Sequence, residues 1–256
     1  MPILHTDFLL PALALGVALG WLGGLFGIGG GLIAIPVLGL ACGLDQLHAQ
    51  GTALVMVLPN VVIGFWRYRA RHGIAWRPAL LLGLTAIAGS EFAAHLATGL
   101  PAVTLRLMFA GFLIVLAGWL LRGLRRAPPA TAAAAPAVLS ARWLPAVGLA
   151  GGLMSGLFSV GGGIAAVPLL TGLFGTRQAV AQGLALALVT PGSAAALFAY
   201  ARAGVVDWPL GLALAFGGVL SVSAGVAFAH RLPERRLRAL FALGIVATAG
   251  AMLASA

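Results

Sequence analysis

Two stretches of this chain have residue types that could hold a negative charge without any cation. Gly29, Gly30 and Gly31 stand in "GLFGIGGGLIAIP", Gly161, Gly162 and Gly163 in "GLFSVGGGIAAVP", and Pro36 and Pro168 each follow five residues after the last glycine. Glycine is the poorest helix former after proline, so three in a row inside an apolar run mark a helix break. With no side chains, successive N–H groups can converge and a ligand or a second helix can come close. A half-helix starting just beyond would turn its positive dipole end toward the same point, making each break a cradle for an anion. Glycines in membrane helices also permit close packing, and the two uses can coexist.

Other polar residues interrupt the apolar runs. Ser159 sits in the second break, Gln50, Thr52 and Asn60 follow the first, and Gln182, Thr190 and Ser193 follow the second. Their amides and hydroxyls can donate to anion oxygens and set orientation. They can equally tie helices together, and Gln50 and Gln182, occurring in both copies, are the stronger candidates for substrate contact. Glu91 and His95 are four residues apart, hence on one helix face. Counting about 1.5 Å per residue back from Leu100 puts Glu91 near the middle of a ~30 Å hydrocarbon layer, where ionisable groups usually face a pathway. Two readings stand: Glu91 binds a proton during transport with His95 as partner, or a neutral glutamic acid joins two helices.

The elements that must position these residues follow from composition and repetition. The chain has 256 residues, 61% hydrophobic and 8% charged, with mean hydropathy +1.08, far fewer charges than the roughly 25% of a soluble domain. Several apolar runs approach the ~20 residues that span a bilayer as helix, and none alternates as barrel strands do. A shift of 132 residues superimposes Gln46 on Gln178, Gln50 on Gln182, Pro59 on Pro191, Tyr68 on Tyr200, Trp76 on Trp208 and Arg106 on Arg238. The chain is a duplication. The expected architecture is an all-α integral membrane bundle in which each half has a glycine-broken pair of short segments (8–26 and 29–43; 144–158 and 161–174) and three long ones (48–66, 78–98, 105–121; 180–200, 209–229, 236–254). Residues 1–122 form the first repeat, 123–142 an Ala/Pro-rich linker and 143–256 the second repeat.

Loop charges suggest that the halves are inverted. Arg67, Arg69, Arg71 and Arg77 occupy one gap, whose copy has only Arg202 against Asp207; the gap at 99–104 is uncharged, whereas its copy reads "RLPERR". Under the positive-inside rule the matched gaps lie on opposite sides. Inversion needs an odd number of crossings per half. A re-entrant broken pair plus three helices meets this, as would five full crossings, though the paired segments are short for that. The first arrangement puts both termini outside the cytoplasm and the linker inside.

The net charge of +10 comes from fifteen arginines without lysine, mostly in short gaps. That pattern fits loops facing anionic lipid headgroups rather than nucleic acid. Cys42 has no partner at metal-ligand spacing, and the absence of lysine excludes a P-loop. Gly29, Gly31 and Ala34 formally match a dinucleotide fingerprint but have no βαβ context, and neither Ser155 nor Ser159 has nucleophile-elbow spacing. No cofactor or metal is expected, and five histidines and five acids are too scattered for a redox or hydrolytic centre, so the chain reads as no enzyme.

The repeated glycine motif, "HAQGTAL" with its copy "VAQGLAL", and "RARHGIAW" with "ARAGVVDW" resemble the sulfite exporter TauE/SafE family of membrane transporters, the four-toluene-sulfonate uptake group. The resemblance covers nearly all the chain apart from the linker. It implies movement of small sulfur-containing or organic anions such as sulfite, sulfonates or sulfoacetate. The family often has Ser where Ala53 and Ala185 stand and Gly where Ser159 stands; Gln50 and Gln182 are the replacements at hand for those hydroxyls. The expected function is a secondary transporter of the bacterial inner membrane working by alternating access, whose partners are a small anion and the lipid bilayer. The alternatives are a membrane anchor for an enzyme or a scaffold subunit.

Overall fold

The computed structural model describes residues 6–26, 29–125, 139–229, 240 and 242–250. Among them every regular element is a helix. In chain order these are α1 (Thr6–Phe26), α2 (Gly31–Cys42), α3 (Gln46–His72), α4 (Trp76–Thr98), α5 (Ala102–Arg125), a 3-10 turn (Ala141–Trp143), α6 (Leu144–Phe158), α7 (Gly163–Gly172), α8 (Gln178–Arg202) and α9 (Trp208–Ala229). Residues 242–250 are helical too. Most of the expected linker, Arg238 and much of the last expected segment lie outside the described residues.

Local chemistry sets the helix ends. The Asp45 carboxylate accepts the His48 N–H at 2.8 Å and caps the start of α3, as a short acidic side chain does for the orphan donors of a first turn. Gly73 closes α3 in the left-handed conformation (φ 60°), its N–H bonding the Arg69 carbonyl, a conformation open to glycine at no Cβ cost. The chain then turns directly into α4.

Five described helices, α3, α4, α5, α8 and α9, are long and apolar enough to cross a membrane. At 1.5 Å per residue α2 and α7, of 12 and 10 residues, reach only about 18 and 15 Å, short of the ~30 Å hydrocarbon core. α1, at 21 residues, is longer than its copy α6, at 15; in the second half the preceding residues form the 3-10 turn instead.

The halves pack by exchange. α1 lies beside α9, with Gly16, Gly20 and Gly24 against Leu214, Gly218 and Val222. α6 lies beside α4, with Gly148, Gly152 and Gly156 against Leu82, Ala86 and Ser90. Each contact in one set is the other displaced by 132 residues, so one half's first helix packs on the other half's fourth in both directions. Both pairs run parallel. A Cβ on any of these six glycines would meet partner backbone or Thr85. Close approach on small residues is how helices associate where lipid tails remove the hydrophobic drive.

The central pair is α3 with its own copy α8. Gln50 meets Tyr200, Gly64 meets Leu186 and Tyr68 meets Gln182; rising numbers in one helix match falling numbers in the other, so the two copies run antiparallel. A twofold rotation that exchanges them has its axis across the helices.

Candidate functional site

Both glycine breaks rely on left-handed backbone. Gly29 and Gly30 have φ of 71° and 92°, Gly161 has 72°, and Ser159 has 56°. A side chain in this region is sterically disfavoured, and Ser159 is the only described non-glycine residue that adopts it. The Gly30 carbonyl accepts from the Ile33 and Ala34 amides at 3.2 and 3.0 Å, and the Gly162 carbonyl from Ala166 at 3.0 Å. The amides just ahead, in the first turns of α2 and α7, are those that helix geometry leaves without an intrahelical acceptor.

The two breaks touch. Gly31 packs on the second break so closely that a Cβ would lie 2.8 Å from the Ser159 carbonyl oxygen and 3.5 Å from the Val160 Cα. The other glycines fit equally tightly: a Cβ on Gly29 would lie 2.6 Å from a Val61 methyl, one on Gly161 2.6 Å from a Val189 methyl. Gly30 sits on Gly23 and the Leu19 carbonyl, and Gly162 on Gly151. Gly163 is less confined: a Cβ there would lie 3.3 Å from a Val189 methyl, a close contact, and 3.7 Å from the Ala185 Cβ.

Several predicted polar residues gather around these breaks. Asn60, buried, points its amide nitrogen at the Gly29 carbonyl at 3.5 Å, while its Oδ1 has no partner among the described residues. Gln50 is fully buried, with its Oε1 accepting the Tyr200 hydroxyl at 2.6 Å and its Nε2 without a partner among the described residues. The same tyrosine oxygen stands 3.2 Å from the Gly156 carbonyl, one turn before the second break. Ser155, Ser159 and Ser193 are buried, and their hydroxyls have no partner among the described residues. The 132-residue copies of these three positions are Gly23, Gly27 and Val61, so the second break is much richer in hydroxyls than the first. An unpaired buried donor is costly, and a cluster of them next to a helix start suits an oxyanion.

Other predicted residues stand elsewhere. Thr52 accepts the Asp207 amide at 3.0 Å and so anchors the start of α9. Thr190 bonds back to the Leu186 carbonyl at 2.8 Å within its own helix. Gln182 accepts the Tyr68 hydroxyl at 2.8 Å, the copy of the Gln50–Tyr200 bond, but in half-buried surroundings. The two tyrosines are the functional candidates that residue-by-residue reading missed; their signal was retention of both bond partners at the same shift. Glu91 is ion-paired with Arg202 of α8 rather than with His95, which is exposed. Arg202 also covers the Phe198 ring at 4.4 Å.

The helix directions sort the charges. The end of α3 and the starts of α4, α6 and α8 lie at one end of the bundle, which holds Arg67, Arg69, Arg71, Arg77, Arg142 and Arg177 and no acid among the described residues. The other end holds Asp45, Asp207, Arg106 and Arg202. There a cavity of about 330 Å³ opens between α2, α3 and α5, lined by Asp45, Gln46 and Arg106 among apolar groups. Gln46 is buried, its Nε2 without a partner among the described residues.

Comparison with known proteins accords with this architecture. A family model described as sulfite exporter TauE/SafE matches residues 12–252. The chain is 30% identical over 240 residues to a probable membrane transporter protein of Xylella fastidiosa strain 9a5c, covering 91% of this chain and 89% of the relative. A probable membrane transporter protein of Methanocaldococcus jannaschii is 28% identical over 261 residues, covering 93% and 94%. No solved structure matches. With the match spanning both glycine breaks and every described helix but the first residues of α1, the chain belongs to the TauE/SafE sulfite exporter family: it is a multi-pass membrane transporter and not an enzyme.

Proposed function

We propose that this transporter carries a small sulfur-containing or organic oxyanion, of the sulfite, sulfonate or sulfoacetate class, across the bacterial inner membrane by alternating access. The two halves lie inverted in the bilayer, with the arginine-rich end cytoplasmic as the positive-inside rule requires and the termini outside. The antiparallel pairing of α3 with α8 and the exchanged packing of α1 and α6 support this arrangement. The observation that carries the proposal is the contact between Gly31 and the Ser159–Val160 backbone, which brings two broken helices from opposite halves to one point. Substrate sites in inverted-repeat transporters form at such junctions. The passenger binds between Gly29–Gly31 and Gly161–Gly163, its oxygens taken by first-turn amides, by Ser159 and by the Gln50 Nε2, with Asn60 beneath the first break. Thr52, Thr190 and Gln182 act at one remove, holding the surrounding helices.

Because the breaks are in contact, a solute fits only when they part. The copied tyrosine–glutamine bonds are suited to control this. Tyr200–Gln50 is fully buried and Tyr68–Gln182 only partly, so two bonds of the same chemistry are in different conditions, as expected of a transporter closed on one side. Transport exchanges their burial. Glu91 takes up a proton when its ion pair with Arg202 opens, coupling transport to the proton gradient, with His95 one turn away on the same face.

The decisive experiment is uptake by purified protein in liposomes of labelled sulfite, a small sulfonate and sulfoacetate, against acetate and chloride. Saturable uptake of a sulfur oxyanion, lost in Gly31→Val, supports the proposal. A sealed, folded preparation that moves none of them refutes it and favours a scaffold role.

A further inference from the structure

The turn between α3 and α4 is more than a generic basic loop. The Arg69 guanidinium lies 3.9 Å from the centroid of the Trp76 ring and 5.8 Å from that of Trp66. The two indoles meet edge to face at 6.4 Å, and Phe65 abuts both, at 6.1 and 6.2 Å. The left-handed Gly73 is what brings Trp76 back over the end of α3. Trp66 and Trp76 remain 55% and 46% exposed, and Arg67, Arg71, His72 and Arg77 are exposed around them. The chain has no acidic residue from Gln46 to Ser90, and the Arg69 Nε, a buried atom, has no acceptor among the described residues. The parallel packing of α4 and α6 brings Arg142 and the 53% exposed Trp143 to the same end.

We propose that the Trp66–Arg69–Trp76 cluster is a binding site for the phosphodiester headgroup of an anionic membrane phospholipid. A guanidinium stacked on an indole keeps its in-plane N–H edge available, and that edge matches two phosphate oxygens. Indoles at a helix end belong at headgroup depth, so the ring faces left open receive the glycerol and upper acyl chain while the flanking arginines meet the anion. An inorganic anion would use the cations and leave the aromatic shelf bare; a phospholipid uses both. The copied turn has lost the site: Phe198, Ala199, Ala201, Ala203 and Pro209 replace Trp66, Arg67, Arg69, Arg71 and Arg77. The fold of a repeat therefore does not require these residues, and the cluster serves one leaflet only.

The test is native mass spectrometry of the delipidated full chain titrated with phosphatidylglycerol and, separately, phosphatidylcholine, together with thermal unfolding in detergent with each lipid, inorganic phosphate or sulfite. We expect wild type to bind one phosphatidylglycerol at least tenfold more tightly than phosphatidylcholine and to be protected by it. Arg69→Gln should lose that preference, and the milder Arg71→Gln should weaken it severalfold while unfolding as wild type does. Arg202→Gln, at the opposite end, should leave it unchanged. Equal retention of phosphatidylglycerol by both turn variants overturns the proposal, as does equal protection by phosphate or sulfite that those variants abolish, which would make the cluster a capture site for free anions.

Discussion

Replacing Tyr200 with phenylalanine removes one oxygen from a fully buried site and leaves the ring in place. In the wild type that hydroxyl donates to the Gln50 Oε1 at 2.6 Å, and the Gln50 Nε2 already has no partner among the described residues. Tyr200→Phe therefore leaves a buried amide with neither end satisfied. Such a loss costs about 1–3 kcal/mol in protein interiors, while interhelical hydrogen bonds in membranes average about 0.6 and reach about 1.7 kcal/mol. The full burial of both partners places this bond toward the upper membrane figure, about 1.5 kcal/mol, or roughly tenfold in an equilibrium between two states. Tyr68→Phe removes the copied bond at 2.8 Å, where Gln182 is only half-buried; water can replace the partner, and the expected cost is about 0.5 kcal/mol, two- to threefold. The assay is the reactivity of a cysteine at Ser159, in a Cys42→Ser background, toward a membrane-impermeant thiol reagent applied to each side of proteoliposomes. Tyr200→Phe should raise labelling about tenfold from the side where α9 begins, and Tyr68→Phe should change it less than threefold and in the opposite sense. Equal effects, or a larger effect from Tyr68→Phe, would refute the view that the two bonds are alternately used gates.

Three further perturbations follow from the geometry. Gly31→Ala sets a methyl 2.8 Å from the Ser159 carbonyl; it should cut liposome uptake at least tenfold, whereas Gly111→Ala, whose Cβ meets open space, should leave uptake unchanged and favour the helix by about 0.5–1 kcal/mol. Glu91→Gln should flatten the pH dependence of uptake, measured between about pH 5 and 8, without unfolding the protein; unchanged pH dependence would remove Glu91 from proton coupling. Burial raises the Asp45 pKa, but the His48 amide and ring outweigh that, and the net shift is downward. A lowered carboxylate stabilises the fold above its ordinary range and loses that contribution as pH falls through the folded-state value. Asp45→Ala should accordingly cost about 1 kcal/mol in detergent unfolding at neutral pH, the difference between wild type and variant should narrow in acid, and Asp45→Asn should retain most of the cap.

Much of the framework was legible because it is written twice. Helix type and rough limits followed from apolar run length, and the 132-residue shift located the two breaks and equated α3 with α8. Partnership across the copies was less visible. Gln50 and Gln182 stood out as repeated polar residues, yet which groups they bond depends on helices 150 and 114 residues away in sequence, a separation at which local spacing carries no signal. Glu91 shows the reverse hazard: its i+4 neighbour His95 was the obvious partner by helix geometry, but α8 delivers Arg202, a full charge with a longer reach. Gly16, Gly20 and Gly24 lie within an apolar run; their spacing of four is itself the mark of a close helix seam, recognisable only once α9 is set against it.

The exchanged packing of α1 on α9 and α6 on α4 has a consequence for biogenesis. A ribosome that has released only the leading segment has made a helix whose seam has no mate, so the early chain must wait in the lipid until the trailing segment arrives. Split between two genes, the segments should become functional only when made together. A single-copy ancestor would have needed molecules inserted in both directions, each completing the other.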